Sequence, residues 1–245
     1  MRAGPDTEFV GVQILVLAKR PRPGRVKTRL IPAYTAPQAA ALAAAALADT
    51  LDAVADTRCA ARVLAFDDSP DGWLPAGFTF VRQRGDGLAE RLNNAIADAH
   101  ARNPLPTLLV GMDTPQLDAG KLTGAARRLV SGPYDAVLGP ATDGGFWAIG
   151  MGSPHPDAFS RVPMSTATTC RAQLQQLTRL GFRVSELPPL TDVDDATTAT
   201  AVAASAPGSR FAARLATFQN AEHPSTDGTA RRVRTGDERR PVRVP

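Results

Sequence analysis

Histidine, cysteine and lysine are scarce in this chain. Of 245 residues, three are histidine (His100, His155, His223), two are cysteine and three are lysine, and 5% are aromatic. Cys59 and Cys170 are far apart and share no metal-type spacing, so two free, partly buried thiols of a cytosolic protein are expected. No H-E-x-x-H pattern joins the histidines, which argues against a zinc site. Neither G-x-x-x-x-G-K-[ST] nor G-x-G-x-x-G occurs, so the two commonest phosphate-loop signatures are excluded. The N-terminus carries no long apolar stretch of secretory type, and the expected location is cytoplasmic. The longest apolar run, Ala39 to Ala48, is too short to span a bilayer, so no membrane span is expected. A broad basic face is missing too. The net charge is +4, but residues 231–245 hold six arginines against two acids and carry all of it. Residues 1–230 therefore sum to zero, and no nucleic-acid partner is expected for the folded part.

With 43% hydrophobic residues the chain can bury one sizeable core. Val12–Ala18, Ala61–Phe66, Phe78–Val81, Thr107–Val110, Asp135–Leu138, Phe146–Ile149 and Arg183–Leu187 read as strands. Helices are expected from Pro37 to about Ala55, over Leu88–Arg102, from the Asp118 cap to about Leu129, and over Thr166–Leu180 up to Gly181. Two short helices follow, Ala196–Ala204 and Phe211–Phe218. This alternation predicts an α/β three-layer domain with a mostly parallel sheet over residues 12–220. Residues 1–11 form a short extension, and 221–245 read as a disordered Arg-rich tail. Oligomeric state is left open. Sheets of this kind bind ligands at the carboxyl ends of their strands.

Charge is concentrated at those ends. After the first strand comes Lys19-Arg20-Pro21-Arg22-Pro23-Gly24-Arg25-Val26-Lys27-Thr28-Arg29, a proline-stiffened loop with six cations and a glycine turn. Such a loop suits a di- or triphosphate, against the plainer reading of a solvated charged loop. Gly111-Met112-Asp113-Thr114-Pro115 follows another strand. Asp113 there can hold Mg²⁺ or Mn²⁺ against phosphate oxygens, or simply cap the next turn. Asp192-Val193-Asp194-Asp195 supplies later carboxylates: Asp194 is assigned to the metal, Asp195 to a helix cap, and Asp192 is the reserve ligand. Asp143-Gly144-Gly145-Phe146-Trp147 offers a close backbone approach and two aromatics for a base or sugar, though core packing is expected of at least one ring. Gln83, Asp86 and Arg91 flank a strand-to-helix junction that can meet phosphate or ribose. Ser165-Thr166 reads first as a helix cap and then as an acceptor contact.

In order, these segments read A-K-x-P-x-P-G-x-V-K-T-R-L, Q-x-G-D-x-L-x-E-R, G-x-D-x-P, L-G-P-A-x-D-G-G-F-W, S-T and D-V-D. Over most of residues 12–200 the chain resembles the glycosyltransferase-like family DUF2064, also called radical-SAM/selenodomain-associated transferase 1. That family is similar to the nucleotide-diphospho-sugar transferase superfamily with its GT-A fold; guanylyltransferases for molybdenum cofactor and phospholactate are more distant relatives. The resemblance implies a nucleotide at the first loop, with Lys19, Lys27 and Arg29 the leading phosphate contacts and Arg20 and Gly24 beside them. It implies a superfamily metal aspartate at Asp113, a second ligand at Asp194, and a second-substrate side at Asp143, Gly144 and Gly145. The late motif departs from the usual D-V-D-T-P-E-D, and Met164 and Ala167 stand where the family has an aromatic and a proline. The reading is a metal-dependent transferase moving a sugar from an NDP-sugar to a small acceptor, with Asp113, Asp143 and Lys27 at its centre. Nucleotidyl transfer with release of pyrophosphate is the alternative. A non-catalytic nucleotide- or nucleic-acid-binding protein is the third reading.

Overall fold

The computed structural model describes residues 8–31, 33–70 and 72–222. Seven strands, β1 (Val10–Ala18), β2 (Cys59–Phe66), β3 (Phe78–Arg82), β4 (Thr107–Gly111), β5 (Ala136–Pro140), β6 (Phe146–Met151) and β7 (Val184–Glu186), make one sheet in the order β3-β2-β1-β4-β6-β5-β7. β6 runs antiparallel to both of its neighbours, and every other pairing is parallel. The chain leaves β1 toward β2 and β3, then crosses back to place β4 on the other side of β1. That reversal opens a crevice beyond the carboxyl ends of β1 and β4, where α/β sheets bind their ligands.

Helices cover both faces. β1 has no exposed side beyond its first residues, and its alternation sorts the two layers. Val12, Ile14 and Val16 join the core under α1 (Ala36–Asp56) and α3 (Ala119–Ser131), while Leu15 packs on the opposite side with α2 (Gly87–Arg102) and α4 (Thr169–Arg179). Burying side chains of this size contributes roughly 1.5–3 kcal/mol each, so β1 anchors both layers. Thr35 caps α1 in a capping box with Gln38. The outer face of α1 is covered by α5 (Ala196–Ser205) and α6 (Arg210–Glu222) through Leu42, Val202 and Phe211. By length and composition α1 could cross a membrane, unlike the shorter run read from the sequence, but Leu42, Leu47, Leu51, Ala39, Ala43 and Ala46 are buried in these two contacts.

Several element ends differ from the sequence reading, among them β1, which starts at Val10 inside the expected 1–11 extension, and two differences bear on the site and the tail. α4 begins at Thr169 rather than Thr166, because Ser165 sits in the left-handed region (φ 59°) and breaks the helical path. The tail expected from 221 lies outside the described residues beyond 222, and residues 221 and 222 finish α6. Both cysteines are free, and burial pushes the Cys170 thiol up to about 11, so it is no nucleophile at neutral pH.

Candidate active site

The loop after β1 divides its cations between two tasks. The Lys19 amide donates to Met112 Sδ at 3.2 Å, which ties the loop to the turn after β4. Arg20 turns the other way. Its amide donates to Asp67 Oδ1 at 2.7 Å, its guanidinium meets the Ser69 carbonyl at 2.5 Å, and its Nε lies 2.9 Å from Asp68. Arg22 pairs with the same Asp68. The two acids that follow β2 thus hold Arg20, expected at the phosphates, away from the lining of the cleft. Gly24, also expected at the phosphates, is a turn glycine (φ 71°) that does not line the cleft.

The loop then comes back to the sheet. Lys27 holds a left-handed backbone (φ 49°), which is strained for a residue with a Cβ. Its ammonium lies 2.8 Å from Asp113 Oδ1 and also donates to the Val193 carbonyl. One short helical turn on, Arg29 reaches Asp194 at 2.5 Å. These pairs join the basic loop to the two acidic segments that the sequence places 86 and 165 residues further along.

Asp113 is carried by the end of β4. Its carbonyl accepts from the Val193 amide at 2.9 Å, so residues 187–195 cross over the strand ends as a strap. Further bonds fix that strap: the Leu190 amide to the Pro140 carbonyl (3.1 Å), the Thr142 amide to the Leu190 carbonyl (3.0 Å), Trp147 Nε1 to the Pro188 carbonyl (3.1 Å) and Gln116 Nε2 to the Thr191 carbonyl (2.5 Å). The strap ends where Asp195 caps α5, as expected, through a capping box with Thr198.

Asp192 changes standing. Read as the reserve ligand, it is the deepest carboxylate of the site, and its Oδ1 has no hydrogen-bond partner. Burial, reinforced by the negative charges of Asp113 and Asp143, pushes its carboxyl up to about 7 despite Lys27 nearby. Asp194, the first choice from sequence, is instead neutralised by Arg29. A buried acid oxygen without a donor, beside two more acids, suits a divalent cation. No group of three or more His, Cys, Asp or Glu side chains among the described residues is arranged to hold a metal. Two carboxylates and substrate phosphates are enough for Mg²⁺.

On the other side of the cleft, Asp143 turns the chain from β5 to β6 and accepts from the Gly145 amide at 2.8 Å. Gly144 has φ 91°, and a Cβ there would lie 2.1 Å from the Ala167 carbonyl oxygen. The cleft's rim is thus built by packing backbone on backbone. Gly144→Ala should cost about 2 kcal/mol or more and lower the melting temperature by roughly 4–8 °C, as measured by thermal denaturation. An unchanged melting temperature would refute this contact. Of the two rings, Trp147 is the one packed into the core, as expected of at least one of them, though it still borders the cleft. It is 3% exposed, and its indole fills the space over Gly139. Phe146 is half-buried and does face the cleft. Ser165 and Thr166 line it too, but neither caps α4: the cap is Thr168, and the Thr166 hydroxyl shares hydrogen bonds with those of Thr168 and Thr169 at 3.1 and 3.3 Å.

At the β3–α2 junction, Gln83 lines the cleft while its amide donates to the carbonyls of Ala18 (2.7 Å) and Ala65 (2.9 Å), clipping the strand ends together. Asp86 stands outside the cleft at the start of α2, with its amide on Glu90 Oε2 at 2.8 Å. Arg91 faces the cleft. The resulting cavity measures about 990 Å³ and brings Lys19, Lys27, Arg29, Asp113, Asp143 and Asp192 to one surface. Sequence reasoning missed Met164 and Leu88 as walls of this cavity, although an apolar residue at a helix start beside a glycine turn is a detectable signal.

Residues 50–166 match the sequence model of DUF2064, a family described as an uncharacterized protein conserved in bacteria. The matched segment contains Asp113, Asp143 and the β3–α2 junction, while the basic loop and the strap flank it. A candidate nucleotide-diphospho-sugar transferase from Desulfovibrio desulfuricans G20 superposes with a TM-score of 0.76 at 27% identity, over 86% of this chain and 95% of that one. The fold is thus that of the nucleotide-diphospho-sugar transferases, as the resemblance implied. Two looser likenesses are Rv0371c from Mycobacterium tuberculosis H37Rv in complex with manganese (TM-score 0.46, 18% identity, 80% of this chain, 98% of that one) and a 2-C-methyl-D-erythritol 4-phosphate cytidylyltransferase from Thermus thermophilus (0.48, 16%, 80% and 99%). No curated protein sequence matches the chain.

Proposed function

We propose that this chain is a metal-dependent transferase that moves a sugar from an NDP-sugar to a small acceptor. The observation that carries the reading is the meeting of Lys27, Asp113 and the unpartnered Asp192 carboxylate at the β1/β4 crevice. The likeness to the D. desulfuricans protein supports the same chemistry. In this reading Asp113 and Asp192 hold Mg²⁺ or Mn²⁺, which supplies positive charge to the diphosphate oxygens. Lys27 and Arg29 neutralise charge developing on the leaving phosphate. Asp143, exposed on the facing turn, orients or deprotonates the acceptor hydroxyl. Six free cations in the first loop would suit the triphosphate donor of nucleotidyl transfer. Arg20 and Arg22 are committed to Asp68, which weakens the case for a triphosphate.

Calorimetry tests this directly. Titrating a nucleoside diphosphate with Mn²⁺ into Asp113→Asn should show affinity reduced at least about tenfold, with the domain still folded by circular dichroism. Equal affinity for variant and parent would contradict the assignment. Turnover should release free nucleoside diphosphate, and release of pyrophosphate would select the nucleotidyl alternative.

A further inference from the structure

The cleft has two chemically different halves. One holds the acids and loop cations described above. The other lies on the α2/α4 side of the sheet, where Leu17, Phe146 and Met164 pack at the edge of that core without being fully covered. Leu88, 36% exposed, adds a further apolar wall at the start of α2. The carboxylates facing the cleft are Asp113, Asp143, Asp192 and Asp194. Asp113, Asp192 and Asp194 belong to the acidic half, and Asp143, on the β5–β6 turn three residues before Phe146, stands where the two halves meet. One cation is set among these apolar groups. Arg91 lies one turn after Leu88 on α2, so the two share a helix face.

Arg91 differs from Lys27 and Arg29 across the cleft. Lys27 and Arg29 are paired with carboxylates, whereas Arg91 is half-buried and has no carboxylate partner among the described residues. The hydrogen bond it makes there is from Nε to the Gly85 carbonyl, a long one at 3.3 Å. The neighbouring Glu90 is turned away, onto the Asp86 amide. A half-buried guanidinium with open donors beside an apolar wall is matched by a planar anion on an apolar body.

We propose that this half of the cleft is the acceptor subsite, and that it takes an acceptor with an apolar body carrying one carboxylate or phosphate. The apolar part lies against Leu17, Leu88, Phe146 and Met164, and the anion meets Arg91. This rests on the transferase reading above and adds the acceptor's class to it. It also moves Arg91 from the nucleotide, where the sequence placed it, to the second substrate.

Ligand-observed NMR on the full chain tests the subsite with three probes: 3-phenylpropionate, its neutral amide and acetate. The carboxylate should bind at least about tenfold more tightly than either of the others, since a charge-assisted contact and an apolar contact are both needed. Arg91→Gln should remove that preference and leave the affinity for a nucleoside diphosphate with Mn²⁺ unchanged. Arg91→Lys should restore part of the preference. Equal binding of acid and amide overturns the proposal, as does a loss of nucleotide affinity in Arg91→Gln, which returns this residue to the nucleotide. Nucleotide binding that depends on Asp113, with no preference for the acid, sinks the acceptor subsite alone. Failure of the nucleotide to bind the parent protein sinks the transferase reading itself.

Discussion

Replacing Asp192 by Asn should make the metal-free protein more stable at pH 8 and disable it. In the folded chain this carboxyl titrates at about 7, against an ordinary value of 3.8. Its folded value is raised, so between those two pH values the native state holds a proton that the unfolded chain has lost. Stability therefore falls as pH rises through that window, and the full penalty is present above about pH 7. The shift corresponds to about 4 kcal/mol at most. Asp192→Asn removes the buried charge and should raise the melting temperature at pH 8 by roughly 5–15 °C. Near pH 4 both proteins should melt alike. Metal-dependent nucleotide binding should be lost in the variant at either pH. A residue that destabilises the fold yet is needed for binding marks a site under functional constraint. Equal melting temperatures at pH 8 would show that Asp192 carries no such burden.

Lys27 should be the most sensitive of the cations. Its ammonium balances Asp113 and holds the strap through the Val193 carbonyl, and its backbone is strained. Lys27→Met leaves Asp113 beside Asp192 without a counter-charge and removes a phosphate contact. Affinity for a nucleoside diphosphate should fall by roughly 10–100-fold, and stability should fall too. Lys27→Gly loses the same ammonium but relaxes the left-handed backbone. It should bind as poorly as the Met variant and be more stable by about 1 kcal/mol. Binding by calorimetry and melting by calorimetric scan separate the two effects. Parent-like affinity in both variants would remove Lys27 from the site.

Much of this architecture was legible because it follows from local chemistry. The apolar run of β1, the Asp118 and Asp195 caps and the glycine after α4 each have a short-range cause, and each of these elements is present where that cause predicts it. Asp113 was legible because a strand end delivers it. The ranking of Asp192 and Asp194 was not. Their alternate spacing says they share a side, but burial is decided by the strap's bonds to β5, β6 and the β4 turn. The pairing of Arg20 was hidden for a similar reason. Its partners, Asp67 and Asp68, end the neighbouring strand and become neighbours when β1 pairs with β2. Which of Phe146 and Trp147 would pack in the core was not legible either, because Gly139 on the adjacent strand is what leaves room for the Trp147 indole.

The central claim is that Asp113 and Asp192 grip one divalent cation against a nucleoside diphosphate held by Lys27. Anomalous diffraction from crystals grown with Mn²⁺ and a nucleoside diphosphate measures it most directly. The account predicts a manganese peak on the carboxylates of Asp113 and Asp192, with the diphosphate in contact with Lys27. A nucleotide bound away from Lys27, or a manganese peak that touches neither carboxylate, would contradict it.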